Sequence, residues 1–168
     1  MGSKFWKRRV FMISKHMVQE VFRQFRLKPT SAHGLSHARR VFTIGKELAA
    51  KTGADRLVVA VFALVHDIGR EDECDDELHG ERSAALLLTT FKDLFPLSGS
   101  QLKTLFFAIS WHHMGRTISH PTIGTCWDAD RLDLSRCHME TNPALLSTAF
   151  AKEPAFFNWA TSLSLRRP

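Results

Sequence analysis

The chain has 168 residues, 44% of them hydrophobic and 24% charged, with a formal net charge of +6. That is a globular composition, too apolar for a disordered chain, and no uninterrupted apolar run reaches the length of a membrane helix. The modest positive balance suits an anionic small-molecule substrate such as a phosphate, and is no argument on its own for a nucleic-acid partner.

Cys74, Cys126 and Cys137 are an odd set with no C-x-x-C spacing. This excludes a disulfide framework and a thiolate zinc site, and it points to a reducing compartment, the cytoplasm. The basic N-terminus (Lys4, Lys7, Arg8, Arg9) leads into no apolar stretch of signal-peptide length, because Lys15 and His16 interrupt it.

Phe11, Val18, Val21, Phe22 and Phe25 recur at helical spacing. They predict an amphipathic helix over about 10–27, ended by Lys28-Pro29-Thr30. Ser36 is placed to cap a second helix that runs to about Lys51, with Val41, Ile44 and Leu48 inward and Thr52-Gly53 as its stop. Asp55 caps a third, from Arg56 to about Asp67, apolar nearly all round and therefore central. The acidic loop from Glu71 to Glu77 follows. A fourth helix is expected from about His79 to Phe91 and a fifth over about 101–113. A sixth carries Ile123, Trp127, Leu132 and Leu134. Pro143 and Pro154 punctuate a tail of one or two short helices. Nothing alternates with period two. The expectation is one all-α domain over 1–168, built from about six to eight helices.

The chemistry concentrates where the third helix ends, in Leu64-Val65-His66-Asp67-Ile68-Gly69. Burying an imidazole and a carboxylate without partners costs roughly several kcal/mol. A divalent cation satisfies both, because it takes neutral imidazole nitrogen and carboxylate oxygen together. Neighbours on a helix point about 100° apart, so sharing one ion is easiest where the helix stops, and Gly69 lets the backbone bend there. The bland alternative for the dipeptide is a capping His beside a solvated Asp. The wider pattern favours the ion. His37 lies near the start of the second helix, His79 opens the fourth, His112 and His113 close the fifth, and Asp128, Asp130 and Asp133 lie on the sixth. Each falls near one end of a separate helix, which is how a helical bundle gathers ligands.

In order, His33-Gly34-Leu35-Ser36-His37-Ala38-Arg39-Arg40-Val41, then Leu64 to Gly69, then Asp128-Ala129-Asp130-Arg131-Leu132-Asp133 resemble the HD superfamily of metal-dependent phosphohydrolases. The mark of that family is His … His-Asp … Asp, and the likeness covers about residues 31–138. It implies that His37, His66, Asp67 and Asp130 ligate one divalent metal. Mn, Fe, Co, Ni, Zn and Mg all suit such donors, and the sequence does not choose among them. Asp133 is then either an acceptor behind the ligands or an exposed helix charge. Relatives with two metals add histidines at places matched by His79 and by His112-His113, with Asp67 bridging. A second metal and a phosphate-binding role both fit these three.

Asp67 and Glu71 are the catalytic candidates. An acid shortly after His-Asp orients water or assists proton transfer in related hydrolases, and the alternative for Glu71 is a solvated acidic loop. Arg116 and Arg70 could grip phosphate through forked hydrogen bonds or lie on the surface. His33 is expected to cap the loop beside it. His16, His120 and His138 match no family role.

The resemblance implies hydrolysis of a nucleotide or other small phosphoester. A bound cation lowers the pKa of water and polarises a phosphoryl oxygen. Two classes stay open: a di-iron oxygenase of the HD type, and a regulatory module that binds metal or ligand without turnover. The chain has no Tyr, hence none of the Gly-Tyr-Pro tripeptide of the family's cyclic-dinucleotide enzymes. Glu71-Asp72 is displaced by one residue from the acidic motif of its alarmone hydrolases.

Overall fold

The computed structural model describes residues 13–165. Among these residues the elements are α1 Lys15–Phe22, α2 Leu35–Thr52, α3 Arg56–Val65, α4 His79–Leu86, α5 Gly99–Trp111, α6 Pro121–Arg131 and α7 Pro154–Ser164. A π-helical turn, Leu87–Phe91, continues α4, and short 3-10 turns at Leu134–Cys137, Pro143–Leu145 and Phe150–Lys152 fill the chain between α6 and α7. No strand occurs among the described residues, so the all-α expectation holds.

The core is built around α3. Asp55 starts it by accepting hydrogen bonds from the Leu57 and Val58 amides, at 2.9 and 3.2 Å. Val58, Val59, Val61, Phe62, Ala63, Leu64 and Val65 are all buried, as a helix apolar on every side requires. α2 lays a stripe of Val41, Ile44, Leu48 and Ala49 into the same core. It comes close because a Cβ on Gly45 would stand 2.7 Å from the Val59 side chain. α5 begins with a capping box between Ser98 and Gln101. α6 is locked to α5 by Trp127, whose indole donates to the Ala108 carbonyl at 2.9 Å.

The helix ends differ from the sequence reading in informative ways. α1 starts after Ser14, whose hydroxyl accepts from the Met17 amide, and it stops at Phe22 rather than near 27. Residues 10–12 of that expected helix lie outside the described residues. Ser36 does not cap α2. The cap is Gly34, which makes no side-chain cap bond. The turn before it packs so tightly that a Cβ there would sit 2.1 Å from the Pro29 carbonyl oxygen. α3 ends at Val65, so Asp67 lies beyond it, and Leu132 is the C-cap of α6, with Leu134 opening the turn that follows.

This arrangement sends the start of α2, the ends of α3, α5 and α6, and the start of α4 to one end of the bundle. No helix of the described residues is long and apolar enough to cross a membrane.

Gly69 proves necessary for a steric reason. Its φ is not positive. A Cβ there would meet the Ser83 amide nitrogen at 2.5 Å and the Arg82 carbonyl carbon at 2.8 Å, both backbone atoms. The Gly69 amide donates to the Ser83 hydroxyl at 2.9 Å, so the chain after Asp67 lies directly on α4. Gly69→Ala should therefore lower the unfolding free energy by about 1–3 kcal/mol. Urea denaturation measures this, and an unchanged midpoint would refute the close approach.

Candidate metal centre

At that end of the bundle, imidazole nitrogens and carboxylate oxygens converge in two sets that share Asp67. In the first set His37 Nε2 lies 3.0 Å from His66 Nε2, 3.3 Å from Asp130 Oδ1 and 3.5 Å from Asp67 Oδ2. His66 Nε2 is 3.6 Å from the same two oxygens. In the second set His79 Nε2 and His112 Nε2 face each other at 2.9 Å, and stand 3.5 and 3.4 Å from Asp67 Oδ1. The four rings and Asp67 are buried.

What aims these nitrogens inward is the opposite side of each ring. His37 Nδ1 donates to Asp133 Oδ2 at 2.7 Å, His66 Nδ1 to the Phe62 carbonyl at 3.0 Å, and His112 Nδ1 to the Ile109 carbonyl at 2.7 Å. His79 Nδ1 donates to the Asp76 carbonyl. Carbonyls and carboxylates only accept, so each Nδ1 carries the hydrogen and each Nε2 of the neutral ring presents a lone pair. Two lone pairs facing at about 3 Å need something positive between them.

The surrounding charges treat the two rings of each pair differently. Burial and the Arg136 guanidinium work against charging His37. Hydrogen bonds to Asp130, Asp133 and Asp67 outweigh them and raise its pKa to about 9. Burial lowers His66, its partner. In the second set burial, with His112 alongside, pushes His79 down to about 3. His112 is raised against its own burial by Asp67 and Asp130. In each facing pair one ring is thus shifted up and the other down. Burial also opposes charge on Asp67 and Asp130. The imidazoles around them, His66 foremost for Asp67 and His37 for Asp130, still hold both carboxyls well below the usual carboxylate range.

The donor set fits a divalent cation. Ligands about 2.1 Å from one ion and roughly 90–120° apart are separated by about 3.0–3.6 Å, which matches the spacings in both sets. The groups His37–His66–Asp130, His66–Asp67–His112 and His79–His112–His113 could each hold an ion.

The HD domain family model matches residues 34–146, two thirds of the chain. The chain belongs to the HD domain family. Searches of curated proteins and of solved structures find no match. HD domains are usually metal-dependent phosphohydrolases, and the ordered His37, His66-Asp67 and Asp130 of this one fall inside the matched span.

Within this HD domain the residues singled out from sequence do not all reach the centre. His37, His66, Asp67, Asp130, His79 and His112 do. His113 is half-buried, with its ring 4.7 Å from that of His79 and its Nδ1 buried without a protein partner. Asp128 turns away to accept from the Ser147 and Thr148 amides at 2.6 and 2.8 Å.

Glu71 is a correction. Its exposed carboxylate pairs with Arg26 and approaches Arg82 Nε at 3.9 Å, outside the cluster. Two long cations outside the centre hold it where sequence proximity suggested a role in the reaction. Arg116 is exposed and lies over the Trp111 ring at 5.8 Å. Arg70 donates through Nε to Asp67 Oδ1 at 3.3 Å and so supports the shared carboxylate.

His33 is the largest surprise. Expected at a loop, it is buried and donates through Nδ1 to Asp67 Oδ2 at 2.8 Å, while its Nε2 faces the Glu73 carbonyl at 3.2 Å. It lies in the turn before α2, where no helical spacing marks it. Arg40, one turn after His37, was also missed; it donates to Asp133 at 2.7 and 3.1 Å.

In metal-free protein the His37 proton is held more tightly folded than unfolded. Its contribution is complete below about pH 6.5 and is lost as pH rises towards about 9. His112 acts in the same direction. Chelator-treated protein should lose on the order of 3 kcal/mol of unfolding free energy between those two pH values. Urea midpoints at both ends of the window test this. A flat profile would mean that His37 is uncharged in the metal-free fold.

Proposed function

We propose that this HD domain is a metal-dependent phosphohydrolase that acts on a nucleotide or other small phosphoester. The observation that carries the reading is the convergence of four imidazole Nε2 atoms on the two oxygens of Asp67, each ring fixed from behind by an acceptor. His37, His66, Asp130 and Asp67 Oδ2 would hold a first divalent cation. His79, His112 and Asp67 Oδ1 would hold a second, with His113 beside them. Such cations supply an activated water and a polarised phosphoryl oxygen.

The chain's own residues do the positioning. Asp67 ties the two sets together through one rigid carboxylate. Arg70 and His33 hold that carboxylate from its two oxygens, at 3.3 and 2.8 Å. Asp133 and Arg40 keep the His37 ring from turning. The apolar floor of Phe62 stacks on His66, with ring centroids 4.8 Å apart, and keeps water from the Nδ1 side.

The same nitrogen and oxygen donors also suit two irons and oxygen chemistry. Phosphate release with Mn, Co, Ni or Mg supports the hydrolase, whereas iron-dependent oxygen uptake without phosphate release supports the oxygenase.

Metal analysis of purified protein together with a phosphate-release panel tests the proposal. His66→Ala and Asp67→Ala should each lose the metal and reduce turnover by about a hundredfold or more, with helix content retained by circular dichroism. A variant that kept full metal content would remove that residue from the ligand set.

A further inference from the structure

The acidic run from Glu71 to Glu77 looks like a solvated loop, and most of it is. Glu71, Asp72, Glu73, Asp75 and Glu77 are exposed. Asp76 is different: its side chain is only 6% exposed. One carboxylate oxygen accepts from the Glu71 and Asp72 amides, at 2.8 and 3.4 Å, and the other pairs with Arg82 on α4. Arg82 in turn donates through Nε to the Gly69 carbonyl at 2.8 Å. Asp76 therefore closes the loop on itself and staples it to α4. The backbone carbonyl of this same residue is the acceptor for His79 Nδ1, and it also accepts from the His79 amide at 3.3 Å.

We propose that Asp76 is a positioning residue: by folding the acidic loop onto α4 it fixes the carbonyl that orients His79, and so sets how tightly the His79–His112 side of the centre holds a divalent cation. This rests on the reading above in which each imidazole pair takes one cation. His66 takes its acceptor from the α3 backbone, four residues earlier, and His112 from α5, three residues earlier. His79 opens its helix, so the turn behind it, Asp76 to His79, belongs to the loop and not to a helix. The loop supplies the missing acceptor, and a carbonyl in a loop stays in place only if the loop is folded.

Calorimetric titration of the metal-free full chain with Mn²⁺ tests this, with circular dichroism as the check on folding. Wild type should bind two equivalents. Asp76→Asn keeps the size but places amide hydrogens against either Arg82 or the loop amides. It should weaken the second equivalent by about 10- to 100-fold and leave the first unchanged. Asp75→Asn and Glu77→Gln remove the same charge from exposed positions of the same loop and should change neither. Arg82→Gln loosens Asp76 from the other side and should weaken the second equivalent in the same direction, which keeps the test open if Asp76→Asn fails to fold.

Unaltered second binding in Asp76→Asn or Arg82→Gln would overturn the inference. So would an equal weakening in Asp75→Asn, because loop charge would then be the cause. A wild type that bound a single equivalent, lost in His66→Ala and kept in His79→Ala, would end the inference and leave the first position standing. No uptake by wild type would overturn the functional reading itself.

Discussion

The structure depends on one carboxylate facing two ways. Asp67 is buried, and each of its oxygens meets a different pair of imidazole nitrogens, His37 with His66 on one side and His79 with His112 on the other. A carboxylate in that position is tolerable only if positive charge stands against both oxygens. Arg70 provides part of it at 3.3 Å, and the His33 ring adds a hydrogen bond at 2.8 Å. The imidazoles that face it provide the rest. Five helix ends must meet at one point for this to work. The apolar α3 brings them together, since it packs against α2, α5 and α6 and stops just short of His66.

The ring supports tie the site to the fold. The last carbonyls of a helix have no partners within it. Here the Phe62 carbonyl near the end of α3 and the Ile109 carbonyl near the end of α5 accept from His66 and His112. The Ile109 bond satisfies a helix end and fixes a ring at once, whereas the Phe62 carbonyl, already bonded to the His66 amide at 3.0 Å, takes the ring as a second donor. The partially negative C-termini of α3, α5 and α6 all approach the cluster, which favours positive charge among the ligands. Stability and ligand geometry are therefore carried by the same bonds.

Much of this was legible in the sequence because it is local. Hydrophobic period and caps such as Asp55 located the helices. The residues at helix ends, His37, His66-Asp67, His79, His112 and Asp130, identified the site without any knowledge of how the helices cross. What stayed hidden depends on long-range contact. His33 reaches Asp67 across 34 positions, and no periodicity encodes that pairing; Asp133 was open as an acceptor behind the ligands, but not that its partner is His37, 96 positions away. Glu71 misled for the converse reason. It lies four residues from Asp67, but Arg26, 45 positions away, and Arg82 take its side chain elsewhere. Gly69 was read as a hinge and turned out to be a contact, because the approach of the α4 backbone is set by Ser83 and Arg82 in three dimensions.

The two sides of the centre are not equivalent, and the difference lies behind the rings. His66, His79 and His112 each give their Nδ1 hydrogen to a neutral carbonyl. His37 gives its hydrogen to Asp133, a carboxylate with no exposure, held below its ordinary range against its own burial by His37 and Arg40. A charged acceptor makes an imidazole a stronger base and a stronger donor than a neutral one does. The first set also contains a second carboxylate, Asp130, at 3.3 Å from His37, while the second set relies on Asp67 alone. Charge and basicity both favour the His37–His66 side. The other side has a single carboxylate and a ring held by a loop, so its geometry is the one most sensitive to the surrounding structure.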